Sequence, residues 1–193
     1  MVKLFKEHPE LLPVKPSIDK AITELINSFN IKGKLLVCGS EESVDDSNNL
    51  TRSLLKTFVD YRPIPKEIAI KLDLSMRHDL VRGLPVIDLT ANKTFIDAMN
   101  NDGSSELIYA QQVVSYSENC PNDILFCISN NGDSVEVVKA AIAADVLGLH
   151  IVALTDMEDS ELSKIARVTI KAPCGLKEEI LHYIAMELES KLS

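Results

Sequence analysis

Apolar runs of five or six positions alternate along the chain with longer segments in which apolar residues recur every three or four. The short runs are "KLLVC" (34–38), "LPVIDL" (84–89), "DILFCI" (123–128), "HIVALT" (150–155) and "RVTIKA" (167–172). Their β-branched and Leu-rich content marks strands buried on both faces, and the segments between them carry helical period. Leu50, Leu54, Leu55, Phe58 and Val59 form one such stripe, Val135, Val138, Ile142 and Val146 a second, and Leu181, Ile184, Ala185, Leu188 and Leu192 a third. Strands alternating with helices predict an α/β fold: a doubly wound open sheet of about five parallel strands with helices on both faces.

Two stretches interrupt this rhythm. Residues 60–83 read as an insertion, a Pro-containing loop followed by a short helix. Residues 92–118 form an amphipathic segment that turns at Asp102, Gly103 and Ser104. A helical segment over 1–32 precedes the first strand. With 193 residues, 46% of them apolar, and no interdomain linker, the chain is expected to form a single domain over 1–193.

Charge narrows the ligand classes. A net charge of -9 without a basic cluster argues against direct nucleic-acid binding. Neither a long apolar window nor a secretory leader is visible, so no membrane partner and a cytoplasmic location are expected. The four cysteines make no C-x-x-C pair, and Cys38 and Cys127 lie inside strand runs, as buried thiols do.

The chemistry concentrates in two loops. "KLLVCGSEESVDDSNN" and "ILFCISNNGDSVEVVK" share one plan: an apolar strand ending near a Cys, a polar loop with serines, then a helix. In an open α/β sheet such loops face one crevice beyond the carboxyl ends of the strands. A helix N-terminus offers unpaired N–H groups and positive dipole, so Ser40, Ser43, Ser129, Asn130, Asn131 and Ser134, with Gly132 at the bend, form a candidate anion cradle. The plainer alternative makes Asp133 a helix cap with Glu136 three residues on, which needs no ligand. The repetition of the plan favours the cradle.

From about Gly33 to the C-terminus, "GKLLVCGSEES", "LPVIDLT", "NNDGSSELIYAQQV", "DILFCISNNGDSVEVVKAA" and "GLHIVALT" occur in an order that resembles the sugar isomerase (SIS) domain family. Within it the resemblance is to phosphoheptose isomerases and their non-enzymatic relatives that associate with the replication initiator. It implies a flavodoxin-like sheet and a homo-oligomer, dimer or tetramer, that binds a phosphorylated sugar at subunit boundaries. The family's Ser-Thr-Ser-Gly-Asn-Ser phosphate loop falls on Ser129 to Ser134, with both outer serines and the glycine kept. Asp102 matches an acidic residue that contacts sugar hydroxyls in the enzymes.

Two departures bear on activity. Where the enzymes carry Asn-Gly-Gly-Ser, this chain has Ser40, Glu41, Glu42 and Ser43, which brings carboxylates to the expected phosphate. Their catalytic His and Glu, one helical turn apart, become Asn49 and Ser53, neither of them a useful base nor a zinc pair. His182 falls near the family's final His, as a lone acid/base candidate or a structural residue beside an apolar stripe. Glu41, Glu42, Asp45 and Asp46 read as a solvated first-turn charge run more than a cation site. No cofactor and no metal site are expected. Three readings follow: a phosphoheptose-type isomerase (sedoheptulose 7-phosphate), a non-catalytic phosphosugar sensor or scaffold, and an enzyme in which Glu41 or Glu42 has become the base.

Overall fold

Five parallel strands carry the architecture: β1 (Leu35–Gly39), β2 (Val86–Asp88), β3 (Ile124–Ile128), β4 (His150–Thr155) and β5 (Val168–Lys171). They are ordered β2-β1-β3-β4-β5, the flavodoxin-like winding in which direction reverses between β1 and β3. The structure is a computed structural model and describes residues 3–56, 62–156, 159–173 and 175–192. In register, Cys38 of β1 faces Cys127 of β3, and Phe126 of β3 faces Val152 of β4. Every residue of β1 and β3 is buried, which is why their sequences run apolar without a polar alternate.

The helices are α1 (Lys3–Glu7), α2 (Lys15–Asn30), α3 (Val44–Leu55), α4 (Lys66–Ala69), α5 (Leu74–Asp79), α6 (Lys93–Asn101), α7 (Ile108–Ser117), α8 (Val135–Val146), α9 (Glu161–Ile165) and α10 (Lys177–Lys191). Successive strand residues point to opposite faces and so feed two separate cores. Leu35, Val37, Ile124 and Phe126 pack with Ile18, Leu25, Leu50, Ile180, Ile184 and Leu188 of α2, α3 and α10. Leu36, Cys38, Leu125 and Cys127 pack with Val113, Val137, Ala140 and Leu162 of α7, α8 and α9. Each fully buried Leu or Phe contributes roughly 1.5–3 kcal/mol, and removing the Phe126 ring would cost about 3–5 kcal/mol.

Several expectations need correction. The stripe expected for α8 is not its buried face: Val135, Ile142 and Val146 are exposed, and Val137, Ala140, Ala141 and Ala144 are buried instead. This helix is apolar nearly all round, so periodicity was ambiguous, and its alanines allow close approach to the sheet. On α3, Leu50 and Leu54 are buried but Leu55 is exposed, and Phe58 and Val59 lie outside the described residues. The insertion holds two short helices, α4 and α5, and a bridge between Pro63 and Val81. The stripe of α10 packs as expected, and Cys38 and Cys127 are buried free thiols, whereas Cys174 lies outside the described residues.

Candidate functional site

The two polar loops leave the sheet side by side at the point where strand order reverses. The Ser40 N–H donates to the Ile128 carbonyl at 3.0 Å, extending the β1/β3 ladder to the mouth of the first loop. Gly39 is needed there, because a Cβ would stand 2.5 Å from the Ser43 carbonyl oxygen and 2.6 Å from Ser47 Oγ. A short 3-10 turn, Glu41–Ser43, then leads into α3. Ser40 and Ser43 are both buried, with their hydroxyls 3.5 Å apart, and Ser43 Oγ donates to Asn130 Oδ1 of the second loop at 3.5 Å.

In the second loop the Ser129 hydroxyl is fully buried, 3.1 Å from Ser134 Oγ, and accepts from the Gly132 N–H at 3.2 Å. Gly132 holds φ of +69°, and a Cβ at that position would meet Ser160 Oγ at 2.3 Å, so both the turn and the packing require glycine. Asp133 is not the cap of α8. Its Oδ1 accepts from the Glu161 N–H at 2.8 Å, the first residue of α9, while Ser134 occupies the N-cap position of α8 without a side-chain capping bond. The first N–H groups of α8 therefore stay uncapped by the side chain expected to satisfy them, beside two serine hydroxyls.

Asn130 ties the loops together. Its Nδ2 donates to Glu42 Oε2, and its Oδ1 accepts from Lys177 Nζ in the first turn of α10. Lys177 is buried and also pairs with Asp156 at 2.7 Å, just beyond β4. Sequence reading missed this lysine, although a cation in the first turn runs against the helix dipole and such a placement asks for an outside partner.

Beyond the loops opens a crevice of about 680 Å³. Ser40, Glu42, Asn130, Asn131 and Ser134 line it, joined by Thr90, Asn100, Glu106, Tyr109 and Glu136, which were not anticipated. Tyr109 is fixed by donating its hydroxyl proton to the Gly39 carbonyl at 3.0 Å. Ser43 and Ser129 are fully buried and are not among the lining residues. Asp102 is the exposed C-cap of α6 and is not among the lining residues. The side chain of Glu41 lies outside those described.

A second, smaller groove of about 100 Å³ brings His182 of α10 together with Asn49 and Ser53 of α3, more than a hundred residues away in sequence. Asp46 and Glu178 complete its polar rim. Burial pushes the Asp46 carboxyl up, against the opposing pull of Lys177, with Glu178, Asp45 and Asp156 adding to the rise. Asp88, at the end of β2, is also raised by burial. Its Oδ1 accepts from the Thr90 N–H and hydroxyl at 2.8 and 2.7 Å, and Oδ2 has no partner. Among the described residues no group of three His, Cys, Asp or Glu is placed to hold a metal, and no helix is long and apolar enough to cross a membrane.

Comparison with known proteins places this geometry among relatives. A phosphoheptose isomerase from Chromohalobacter salexigens is 30% identical over 156 residues, covering 81% of this chain and 68% of the relative. The structure of a phosphoheptose isomerase from Francisella tularensis superimposes with a TM-score of 0.74 at 23% identity, over 91% of this chain and 86% of that one. A phosphoheptose isomerase from Neisseria gonorrhoeae gives 0.73 at 19% identity, over 96% and 91%. The sequence profile of the SIS domain matches residues 13–156, a span that contains every strand but β5 and both loops of the crevice. With the profile, the relatives and the switch-point crevice in agreement, the chain belongs to the SIS domain family.

Proposed function

We propose that the crevice binds a phosphorylated sugar, with the phosphate on the α8 N-terminus and the Ser40, Ser43, Ser129 and Ser134 loops and the sugar towards Thr90, Asn100 and Tyr109. The observation that carries this reading is the uncapped start of α8 beside buried Ser129 and half-buried Ser134, opening into a crevice of about 680 Å³. Backbone N–H groups and hydroxyls hold a phosphate without a metal or a basic side chain. Asn130 and Asn131 keep amide donors where the resembled loop has hydroxyls. The protein acts as one domain within a homo-oligomer, dimer or tetramer, and the exposed Val135, Ile142 and Val146 of α8 support an unmet apolar contact.

Isomerisation is the second reading, favoured by the 30% identity to a phosphoheptose isomerase. Moving a proton between the carbons of an aldose and a ketose needs a base near the crevice and a group that polarises the carbonyl. Glu42 is one of three carboxylates that line the crevice, with Glu106 and Glu136, and His182 stands in the second groove with Asn49 and Ser53. Asn49 and Ser53 supply no base, so a binding or sensing role is the first reading.

The test is a calorimetric and thermal-shift screen of the purified chain against sugar phosphates including sedoheptulose 7-phosphate, with an isomerisation assay on every binder. A ligand at about 100 times its Kd should add roughly 2.7 kcal/mol to the folded state. Binding without turnover supports the first reading and binding with turnover the second. The absence of any stabilising sugar phosphate would overturn both.

A further inference from the structure

The wall of the crevice carries charge of one sign. Glu42, Glu106 and Glu136 reach it from three separate elements, and among the described residues no Lys, Arg or His lines it. Two of the carboxylates are already engaged: Glu42 accepts from Asn130, and Glu106 pairs with Lys139. The buried cation Lys177 is bonded to Asn130 and paired with Asp156. Glu136 is different. It sits in the first turn of α8, two residues past Ser134, partly buried, with no hydrogen-bond or ion-pair partner among the described residues.

A phosphate seated on the start of α8 would lie close to this carboxylate, and a ligand made only of phosphate and hydroxyls brings nothing to offset it. A ligand that carries an ammonium on the sugar ring does. Its phosphate meets the helix N-terminus, its hydroxyls meet Asn100, Tyr109 and Thr90, and its cation meets Glu136, forming a charge-assisted hydrogen bond in a partly desolvated crevice. We infer that Glu136 is a specificity-determining residue that selects phosphorylated amino sugars over neutral sugar phosphates in this crevice. The inference rests on the phosphosugar reading above.

Two ligands that differ only in the amine separate the two claims: glucosamine 6-phosphate and glucose 6-phosphate, titrated calorimetrically into the full chain with EDTA present. The expected result is at least about tenfold tighter binding of the amino sugar near neutral pH, which is about 1.4 kcal/mol. That ratio should shrink as pH is raised past the ammonium's ionisation, and should collapse in Glu136→Gln. A ratio of one or below, or a preference that Glu136→Gln and high pH leave intact, overturns the inference while leaving the phosphosugar reading standing. Equal binding that appears only when magnesium replaces EDTA also overturns it, since a metal would then be the compensating cation. If neither ligand nor any other sugar phosphate binds, both claims fall together. The pH series on the unmodified protein keeps the test decisive even if the variant folds poorly.

Discussion

Lys177 and Asp156 stand 2.7 Å apart, joining the first turn of α10 to the end of β4 beneath the second polar loop. The same ammonium also donates to Asn130, so one buried cation ties three segments of the site. Lys177→Met keeps the length of the stem but leaves Asn130 Oδ1 without this donor and Asp156 without its charge partner. Removing one member of a buried polar network costs about 1–3 kcal/mol. Urea unfolding should show a loss in that range, and calorimetry should show weaker sugar-phosphate binding, because Asn130 then loses the contact that orients it. Unchanged affinity would mean that Asn130 is positioned without Lys177, by Ser43 and Glu42 on its side chain and by Thr155 and the Asp156 N–H on its carbonyl.

Gly132 sets the bend of the same loop, and its substitution tests a different constraint. Gly132→Ala meets a left-handed φ of +69° and a Cβ position 2.3 Å from Ser160 Oγ and 2.6 Å from Ser160 Cβ. Neither can be relieved by a flexible side chain tip alone, so a cost of about 1–3 kcal/mol is expected. Ser160 caps α9 through the Ser163 N–H, and displacing it should also loosen that helix. Hydrogen exchange should report faster exchange at Ser163, with the strands unaffected.

The elements legible in the sequence were those whose local signal and tertiary environment agree. β1 and β3 are buried on both faces, and their unbroken apolar runs said so; α10 has one wet and one dry face, and its stripe said so. The face of α8 was not legible, since a helix with apolar residues all round gives periodicity nothing to choose between, and alanines carry the burial. The two serine loops were readable because a strand, a polar turn and a helix in succession dictate where a crevice lies. Glu106, on the short turn before α7, Tyr109 and Glu136 joined the crevice through the packing of that turn and α7 against α8, which leaves no mark on spacing. Asp133 looked like a cap because Asp three residues before Glu is a local pattern, yet its carboxylate is taken by a helix that begins 28 residues later.

Asp88 offers a charge whose removal should help the fold. Burial raises its carboxyl, which means the folded state holds the proton more tightly than the unfolded chain. In its ionised form the group then works against folding, and stability attributable to it rises as pH falls from the folded value towards the ordinary carboxylate range. Asp88→Asn keeps the Oδ1 acceptor for Thr90 and removes the charge from the partnerless oxygen. Unfolding in urea at neutral pH should show the variant at least as stable as the parent, instead of the ~1–3 kcal/mol loss expected for a broken buried hydrogen bond. The difference between the two should narrow in mild acid. A clear loss at neutral pH would mean that the amide N–H₂ finds no acceptor where Oδ2 now lies.

Cys38 and Cys127 give the alkaline limb. The Cys38 thiol is pushed well up, first by its hydrogen bond to Cys127 at 3.7 Å and then by complete burial, with Asp88 and Glu136 adding to the rise. In the unfolded chain the same thiol ionises at its ordinary value near 8.5. Its contribution to stability is therefore fully present below that value and is lost as pH rises above it, because the unfolded state releases a proton that the folded state retains. Tyr183, pushed up to about 12 chiefly by burial, acts in the same direction at still higher pH. Stability measured by urea unfolding should decline from about pH 9 upward, and Cys38→Ala should flatten the first part of that decline at the cost of a small cavity beside Leu125 and Cys127. Thiol titration gives an independent check: Cys120, only partly buried, should react with a disulfide reagent in the native protein, and Cys38 and Cys127 only at the rate of unfolding. Fast native labelling of Cys38 would show that the β1/β3 core opens locally, and the pH argument would then fail with it.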